Sequence, residues 1–490
     1  MELSDNLLLL GAVLVFFAIL ITKIGTKFGA PSLLLFLLLG MAVGADGLGL
    51  KFEDYEVAES IGHFAMTIIL FTGGLQTSLK ETKPVLRHGV LLSSVGILIF
   101  TILTGFFIYF VTRNYIGEMG ATLLGCFLLA VIMGSTDSAS VFSVLSGKKM
   151  HLRENLAPLL ELESGSNDPM AYIFTIILVQ IMSSSQKIAT GPWHMVWTGT
   201  WVLVLQVVIG LAIGIGVGYG AKWVLEKIAL PSSSLYSILI LSIGFFANGI
   251  ASVLYGNGLL ALYVAAIIIN NKAVIPQKKD VIKFFDGMTW LMQLLMFLML
   301  GLLARPSQML HVAGPALLIG LFMILVARPA SVFLCLIPFK DLSTRAKLLI
   351  SWVGLKGAGP ILFALCPVVA GLSGSTEIFN IVFFITLLSL VTQGMTLPPA
   401  AKLLKLSYDE DPEVETFGME VPEEMGLLRD HTVTEDDLMR GSTLRDFSLP
   451  HGIRVMMVNR DGHFLVPHGS MELQAGDHLV IIMGESDDDL

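Results

Sequence analysis

From Asn6 to about Leu397 the chain repeats one device, a long apolar run followed by a short polar or basic connection. A bilayer's hydrocarbon core is about 30 Å thick, and roughly 20 helical residues cross it. A single soluble core does not grow large enough to enclose so much apolar sequence. The mean hydropathy is +0.78 and only 14% of residues are charged, against about 25% in soluble domains. In oil a backbone must close its own hydrogen bonds, which leaves helices as the natural spanning element for runs of this length. The pattern therefore predicts an all-α polytopic membrane protein.

Thirteen spans are expected, at 6–22, 31–46, 58–79, 88–112, 120–146, 156–183, 194–221, 234–253, 257–270, 284–304, 310–337, 346–370 and 376–397. The split between the eighth and ninth falls at "YGNG". Alternate connections collect Lys23 and Lys27; Lys80, Lys83 and Arg87; Lys148, Lys149 and Arg153; Lys222 and Lys227; Lys272, Lys278, Lys279 and Lys283; then Lys340, Arg345 and Lys347. The opposite set holds only Lys51, Arg113, Lys187 and Arg305. Basic residues gather on the cytoplasmic side, so the bias predicts an N-terminus outside and a C-terminal tail in the cytoplasm. "MELSDN" lacks the basic start of a cleavable leader, and the first run is expected to stay as a span.

Charge divides the chain in two. Residues 401–490 carry 20 acidic and 7 basic side chains, net −13, so the +4 of the first 400 residues completes the overall −9. Expected divisions are a transmembrane domain over 1–400, an acidic cytoplasmic linker over 401–433, and a small α+β domain over 434–490. An acidic tail does not suit nucleic acid, which wants a basic patch. Cys126, Cys335 and Cys366 lie far apart in apolar runs and read as small core residues without metal-site spacing. No cofactor is called for.

Few ionisable residues stay deep in the spans: Asp137, Glu161, Glu163, Asp168, Arg328 and Lys356. Each is costly at depth and so marks an ion or proton path, or else a salt bridge that fixes packing. Asp137 lies in "MGSTDSAS", where glycine and hydroxyl side chains compete with helical bonding. "GLKGAGP", Gly354 to Pro360, makes a matching interruption seven spans later. An odd offset inverts direction, and paired broken helices in inverted repeats place a binding site near the midplane. In "ESGSNDP" (Glu163 to Pro169), Glu163 and Asn167 share a helix face, as do Ser164 and Asp168; Gly165 and Pro169 are expected to loosen the helix. Carboxylate, amide, hydroxyl and carbonyl oxygens suit a hard monovalent cation. Desolvation penalises a bare charge, so Asp168 is expected to hold either a proton or a cation, one at a time.

"GSTDS" followed by "ESGSNDP" resembles the paired signatures of the cation/proton antiporters of the NhaP and sodium/proton-exchanger type. "ILFTGGLQTSLK" (69–80) and "WVGLKGAGPILFAL" (352–365) are similar to that family's other stretches, and the likeness spans about 5–400 in order. The resemblance implies a homodimer with a mobile core moving in elevator fashion. It makes Asp168 the carrier of K⁺ or Na⁺ and of H⁺, with Thr136, Asp137 and Ser164 contributing oxygens. Asn167 and Glu163 would organise the core, Arg328 would pair with a carboxylate inside the membrane, and Lys356 would act as a counter-charge. Two departures stand out: Ser138 where many relatives have proline, and Lys356 where arginine is common. The Asn167–Asp168 pair resembles the electroneutral branch, which implies one-for-one exchange in cation and pH homeostasis.

After the acidic "YDEDPEVETFGMEVPEE" (408–424), the runs "IRVMMVN" and "DHLVIIM" alternate with turns such as "RDG" and "AGD". This region resembles the C-terminal subdomain of the regulator of potassium conductance (TrkA-C). It implies a potassium-linked antiporter whose tail either binds a small-molecule regulator or serves as a ligand-free dimerisation module. Three rival readings fit the sequence less well. "GVGYG" (216–220) imitates a potassium-channel filter, but it ends a long span on the predicted cytoplasmic side. Asp137 and Asp168 imitate an aspartyl dyad, but no protease motif accompanies them, and an enzyme is not expected. A sodium-coupled solute symporter of similar fold is the nearer alternative, disfavoured by the small polar inventory of the core.

Overall fold

Apolar segments that must satisfy their own backbone become helices, and in the computed structural model most described residues between Glu2 and Leu403 are helical. It describes residues 2–28, 31–112, 122–148, 150–184, 192–409, 428–433, 438, 443–446, 453–460 and 463–483. Most of the acidic stretch 408–424, the segment 439–442, and Arg113, Lys149 and Lys187 from the loop tally lie outside these. In chain order the helices are α1 (Glu2–Phe28), α2 (Ser32–Val43), α3 (Tyr55–Gln76), α4 (Leu79–Val111), α5 (Leu123–Ile132), α6 (Ser138–Ser146), α7 (Leu156–Ser184) and α8 (Pro192–Lys227). They continue as α9 (Ser233–Val253), α10 (Gly258–Lys272), α11 (Lys278–Leu303), α12 (Pro306–Leu336), α13 (Thr344–Trp352), α14 (Ala358–Val369) and α15 (Ser375–Leu403). Among the described residues seven are long and apolar enough to cross a membrane: α3, α4, α8, α9, α11, α12 and α15. The helix α7 is 29 residues long but carries Glu161, Glu163 and Asp168. It runs without interruption through Gly165 and Pro169, against the expected loosening.

Glycines set how closely these helices approach. A Cβ on Gly40 would stand 2.3 Å from the Leu298 carbonyl, and one on Gly301 2.4 Å from that of Leu37, so α2 and α11 cross backbone to backbone. Small residues are the usual means of such contact between membrane helices. Along α8, Gly210, Gly214 and Gly218 face α10, where Cβ atoms would crowd Asn257, Ala261 and Ile268. Gly216, on the same helix, has nothing within 4 Å. The "GVGYG" run is thus continuous helix, and "YGNG" separates α9 from α10, with Asn257 accepting from the Leu260 N–H at 2.6 Å. Gly165 admits the ring of Tyr263, whose atoms would lie 2.4 Å from an added Cβ. Phe36, Phe71, Phe285, Phe297, Phe363, Phe379 and Phe383 are among the fully buried residues that fill the core.

The chain divides into two compact units, Met1–Asp409 and Glu410–Leu490. A two-stranded ribbon closes the first unit: β1 (Met150–Leu152) pairs antiparallel with β2 (Ser407–Asp409), with Met150 opposite Asp409. The Arg153 N–H extends the ladder to the Leu406 carbonyl at 2.9 Å. In the second unit β3 (Leu428–Thr432), β4 (Ile453–Arg460), β5 (His463–Leu465) and β6 (His478–Met483) form an antiparallel sheet in the order β3-β6-β4-β5. Its pairing shifts between Val455 and Met457, the mark of a β-bulge. Val433, Val458, Leu473, Leu479 and Ile481 form its core. Asp477, 1% exposed, receives Arg460 through two bonds of 2.8 and 2.7 Å.

Candidate functional site

The segment between α5 and α6 leaves the helix at Gly134, whose N–H turns back to the Val131 carbonyl at 2.8 Å. Asp137 then caps α6. One of its oxygens accepts from the Ser140 N–H at 3.0 Å, and the other from the Ser140 hydroxyl. Aspartate is among the best N-caps because its oxygen satisfies an otherwise orphaned donor. Both carboxylate oxygens are thus engaged by the helix that Asp137 starts.

A second break, between α13 and α14, meets the first. The Asp137 N–H donates to the Leu355 carbonyl at 2.9 Å, and the Lys356 ammonium donates to the Ser135 carbonyl at 2.9 Å. Glycine is required at 357, where a Cβ would lie 2.0 Å from an Asp137 oxygen. Free backbone groups of this break are held from α15. Ser389 accepts from the Lys356 N–H at 2.9 Å and donates to Gln393 at 2.6 Å. The Gln393 amide in turn donates to the Trp352 carbonyl at 2.8 Å. A π-type turn at Leu390–Gly394 lies between Ser389 and the end of α15; such turns are frequent at functional positions.

The third side is α7. The Ser164 hydroxyl donates to the Thr136 carbonyl at 2.8 Å and accepts from the Ser138 N–H at 3.1 Å. The Asn167 amide donates to the Thr136 hydroxyl at 2.6 Å and accepts from the Thr136 N–H at 3.4 Å. Asp168 accepts from the Ser135 hydroxyl. Asn167 is 1% exposed, whereas Asp168 is only half-buried and lines a cavity of about 710 Å³. Glu163 faces away from this group and binds Arg328 at 2.5 Å. Both are buried, and Gly354 leaves room for the arginine. Among the described residues Lys356 makes no ion pair; its ammonium sits 4.9 Å over the Phe100 ring.

The structure therefore brings Thr136, Asp137, Ser164, Asn167, Asp168 and Lys356 together at the two breaks, and sets Glu163 with Arg328 apart as a buried pair. The cavity runs from Asp168 past Glu161 to Gln76, Ser146 and Asp286, which lie at the ends nearest the basic connections. One turn beyond Asp168 on α7, away from that mouth, Tyr172 packs against His63 and Phe363 with ring centroids 5.6 Å apart in each pair. Ser135, Ser140, Ser389 and Gln393 join the site beyond the residues expected from the sequence. A search for charges passes over neutral polar residues: Ser135 and Ser140 lie within "MGSTDSAS", while for Ser389 and Gln393 the signal is a serine and a glutamine four apart in an apolar run.

Residues 12–403 match the model of the sodium/hydrogen exchanger, transmembrane family, and residues 428–488 match the TrkA-C domain. The chain is 35% identical over 484 residues to the K(+)/H(+) antiporter NhaP2 of Shewanella sp. (strain MR-4), covering 98% of this chain and 81% of the relative. It is 34% identical to the K(+)/H(+) antiporter NhaP of Alkalimonas amylolytica, over 99% of this chain and 83% of the relative. Its fold is similar to that of the sodium proton antiporter MjNhaP1 from Methanocaldococcus jannaschii at pH 8, with a TM-score of 0.69 and 23% identity, over 82% of this chain and all of the other. From the first break to the Lys356 crossing, the site lies within the matched span, and the chain belongs to the sodium/hydrogen exchanger family.

Proposed function

We propose that the protein exchanges a monovalent cation, potassium first and sodium second, for protons across the cytoplasmic membrane. The observation that carries this reading is Asp168, a carboxylate held at the meeting of two helix breaks and lining a cavity. Its surroundings penalise a bare charge, so the carboxylate is stable with a proton or with a cation and costly when empty. If only the two loaded forms cross, cation flux in one direction drives proton flux in the other. The relatives' names, both K(+)/H(+) antiporters, favour potassium.

In this reading all thirteen segments cross the bilayer as inverted repeats. The N-terminus is outside and the tail cytoplasmic, and the chain divides into a transmembrane domain, an acidic linker and a regulatory domain that takes in β3. Asp168 carries the ion. Ser164, Thr136 and Asp137 shape the oxygen-rich first break around it, while Asn167 and the Glu163–Arg328 pair keep α7 in register with that break. Lys356 offsets negative charge at the crossing, which suits one-for-one exchange. A homodimer fits α8, whose apolar surface is largely turned outward, and the tail is a seat for a small-molecule regulator.

The test uses proteoliposomes holding a pH gradient and a pH-sensitive dye. Potassium, then sodium, is added to wild type and to Asp168→Asn. Collapse of the gradient by potassium in wild type, absent in the variant, is expected. No response to either ion across a range of pH would reject antiport and favour the solute symporter.

A further inference from the structure

The cavity has a second polar wall that neither helix break supplies. Asp286, Thr289 and Gln293 of α11 all line it. At spacings of three and four they share one helix face, and at about 1.5 Å per residue they form a row about 10 Å long. Asp286 lies at the end nearer the basic connection, where it accepts from the Gln76 amide at 2.5 Å. Gln293 lies deeper and is 7% exposed. Among the described residues its amide has no hydrogen-bond partner, and the buried Thr289 hydroxyl has none either. Burying a hydroxyl without a partner, as at Thr289, is unfavourable, and Gln293 lines the same cavity as Asp168.

We propose that Gln293, with Thr289, forms a cation subsite on the α11 wall that selects the ion before Asp168 receives it. Amide and hydroxyl oxygens are hard, neutral ligands that replace water around an alkali cation, as carbonyl rings do in potassium filters. A proton needs no such shell, so the subsite acts on the cation half of the exchange alone. Potassium is larger than sodium and holds its water less tightly, so it depends more on several weak oxygens and less on one carboxylate. The inference rests on antiport through Asp168 and names the residues that set its selectivity.

The experiment titrates potassium and sodium in proteoliposomes containing wild type, Gln293→Leu, Thr289→Val, Gln293→Glu and Asp168→Asn. Losing one contact to a charged partner corresponds to about a tenfold change. The half-saturating potassium concentration is expected to rise about tenfold in Gln293→Leu, with a smaller rise for sodium. Thr289→Val moves in the same direction, and Gln293→Glu, which keeps an oxygen, returns potassium to the wild-type value or below. Unchanged half-saturation for both ions in Gln293→Leu, with wild type exchanging through Asp168, would overturn the subsite. So would a loss of maximal rate alone. If wild type exchanges neither ion, antiport fails, and potassium-induced thermal stabilisation of the purified full chain decides the subsite separately. A stabilisation present in wild type and lost in Gln293→Leu upholds it; equal stabilisation in both rejects it.

Discussion

Glu163 and Arg328 show how a charged pair is kept inside an apolar body. Arg328 binds one Glu163 oxygen at 2.5 Å and also reaches the Ile350 carbonyl at 3.4 Å, while the second Glu163 oxygen has no partner. Such a pair contributes little net stability when intact, yet removing one member strands the other. Glu163→Gln is therefore expected to destabilise the protein by about 3–5 kcal/mol, read as a lowered melting temperature in detergent. Glu163→Gln combined with Arg328→Gln should recover part of that loss, because no lone charge remains. Gly357 makes a different kind of point. Gly357→Ala would drive a methyl into Asp137, so transport should be lost although the protein still inserts and can be purified. Normal cation-driven proton flux in that variant would contradict the close crossing of the two breaks.

At the scale of helices, the breaks were legible because glycine, serine, threonine and proline cluster where an unbroken span would want leucine. What each break leans on was not. Ser389 and Gln393 lie in a run that reads simply as a span, and their meaning depends on α15 passing the Trp352 and Lys356 backbone. The opposite error arose at α7, where Gly165 and Pro169 suggested a loosened helix. In the structure Gly165 is small because Tyr263 packs on it, and Pro169 sits within an intact helix. Sequence shows that a residue is unusual; only the fold shows which neighbour makes it so. Gln393→Leu tests the clamp. It leaves the Trp352 carbonyl unpaired at a cost of about 1–3 kcal/mol, so transport should weaken and the melting temperature fall. Gln393→Glu keeps only the bond from Ser389, and is expected to fall between wild type and the leucine variant.

Across the membrane unit, the cavity opens at one end and the rings of Tyr172, His63 and Phe363 pack at the other. Cys126, Cys335 and Cys366 are all buried, so an introduced cysteine reports on its own. A water-soluble thiol reagent should label Ser143→Cys from the side of the basic connections, while Tyr172→Cys stays unlabelled from both sides in this conformation. In the second unit, the Arg460 guanidinium holds the Asp477 carboxyl below the ordinary range. A lowered carboxylate contributes stability that is complete above its unfolded value of about 3.9 and is lost as pH falls through the lowered value. Limited proteolysis of the full chain should thus find residues 428–488 protected at pH 5 and released in stronger acid. Arg460→Ala should bring that release to higher pH. The ribbon of β1 and β2 has a mechanical consequence as well. The chain leaving α15 does not hang free: Ser407–Asp409, where the acidic stretch begins, are laced to Met150–Leu152, a few residues ahead of the helix that carries Asp168. Tension applied at Asp409 is borne by that lacing as shear along a short ladder, and its load path ends at the first turn of α7.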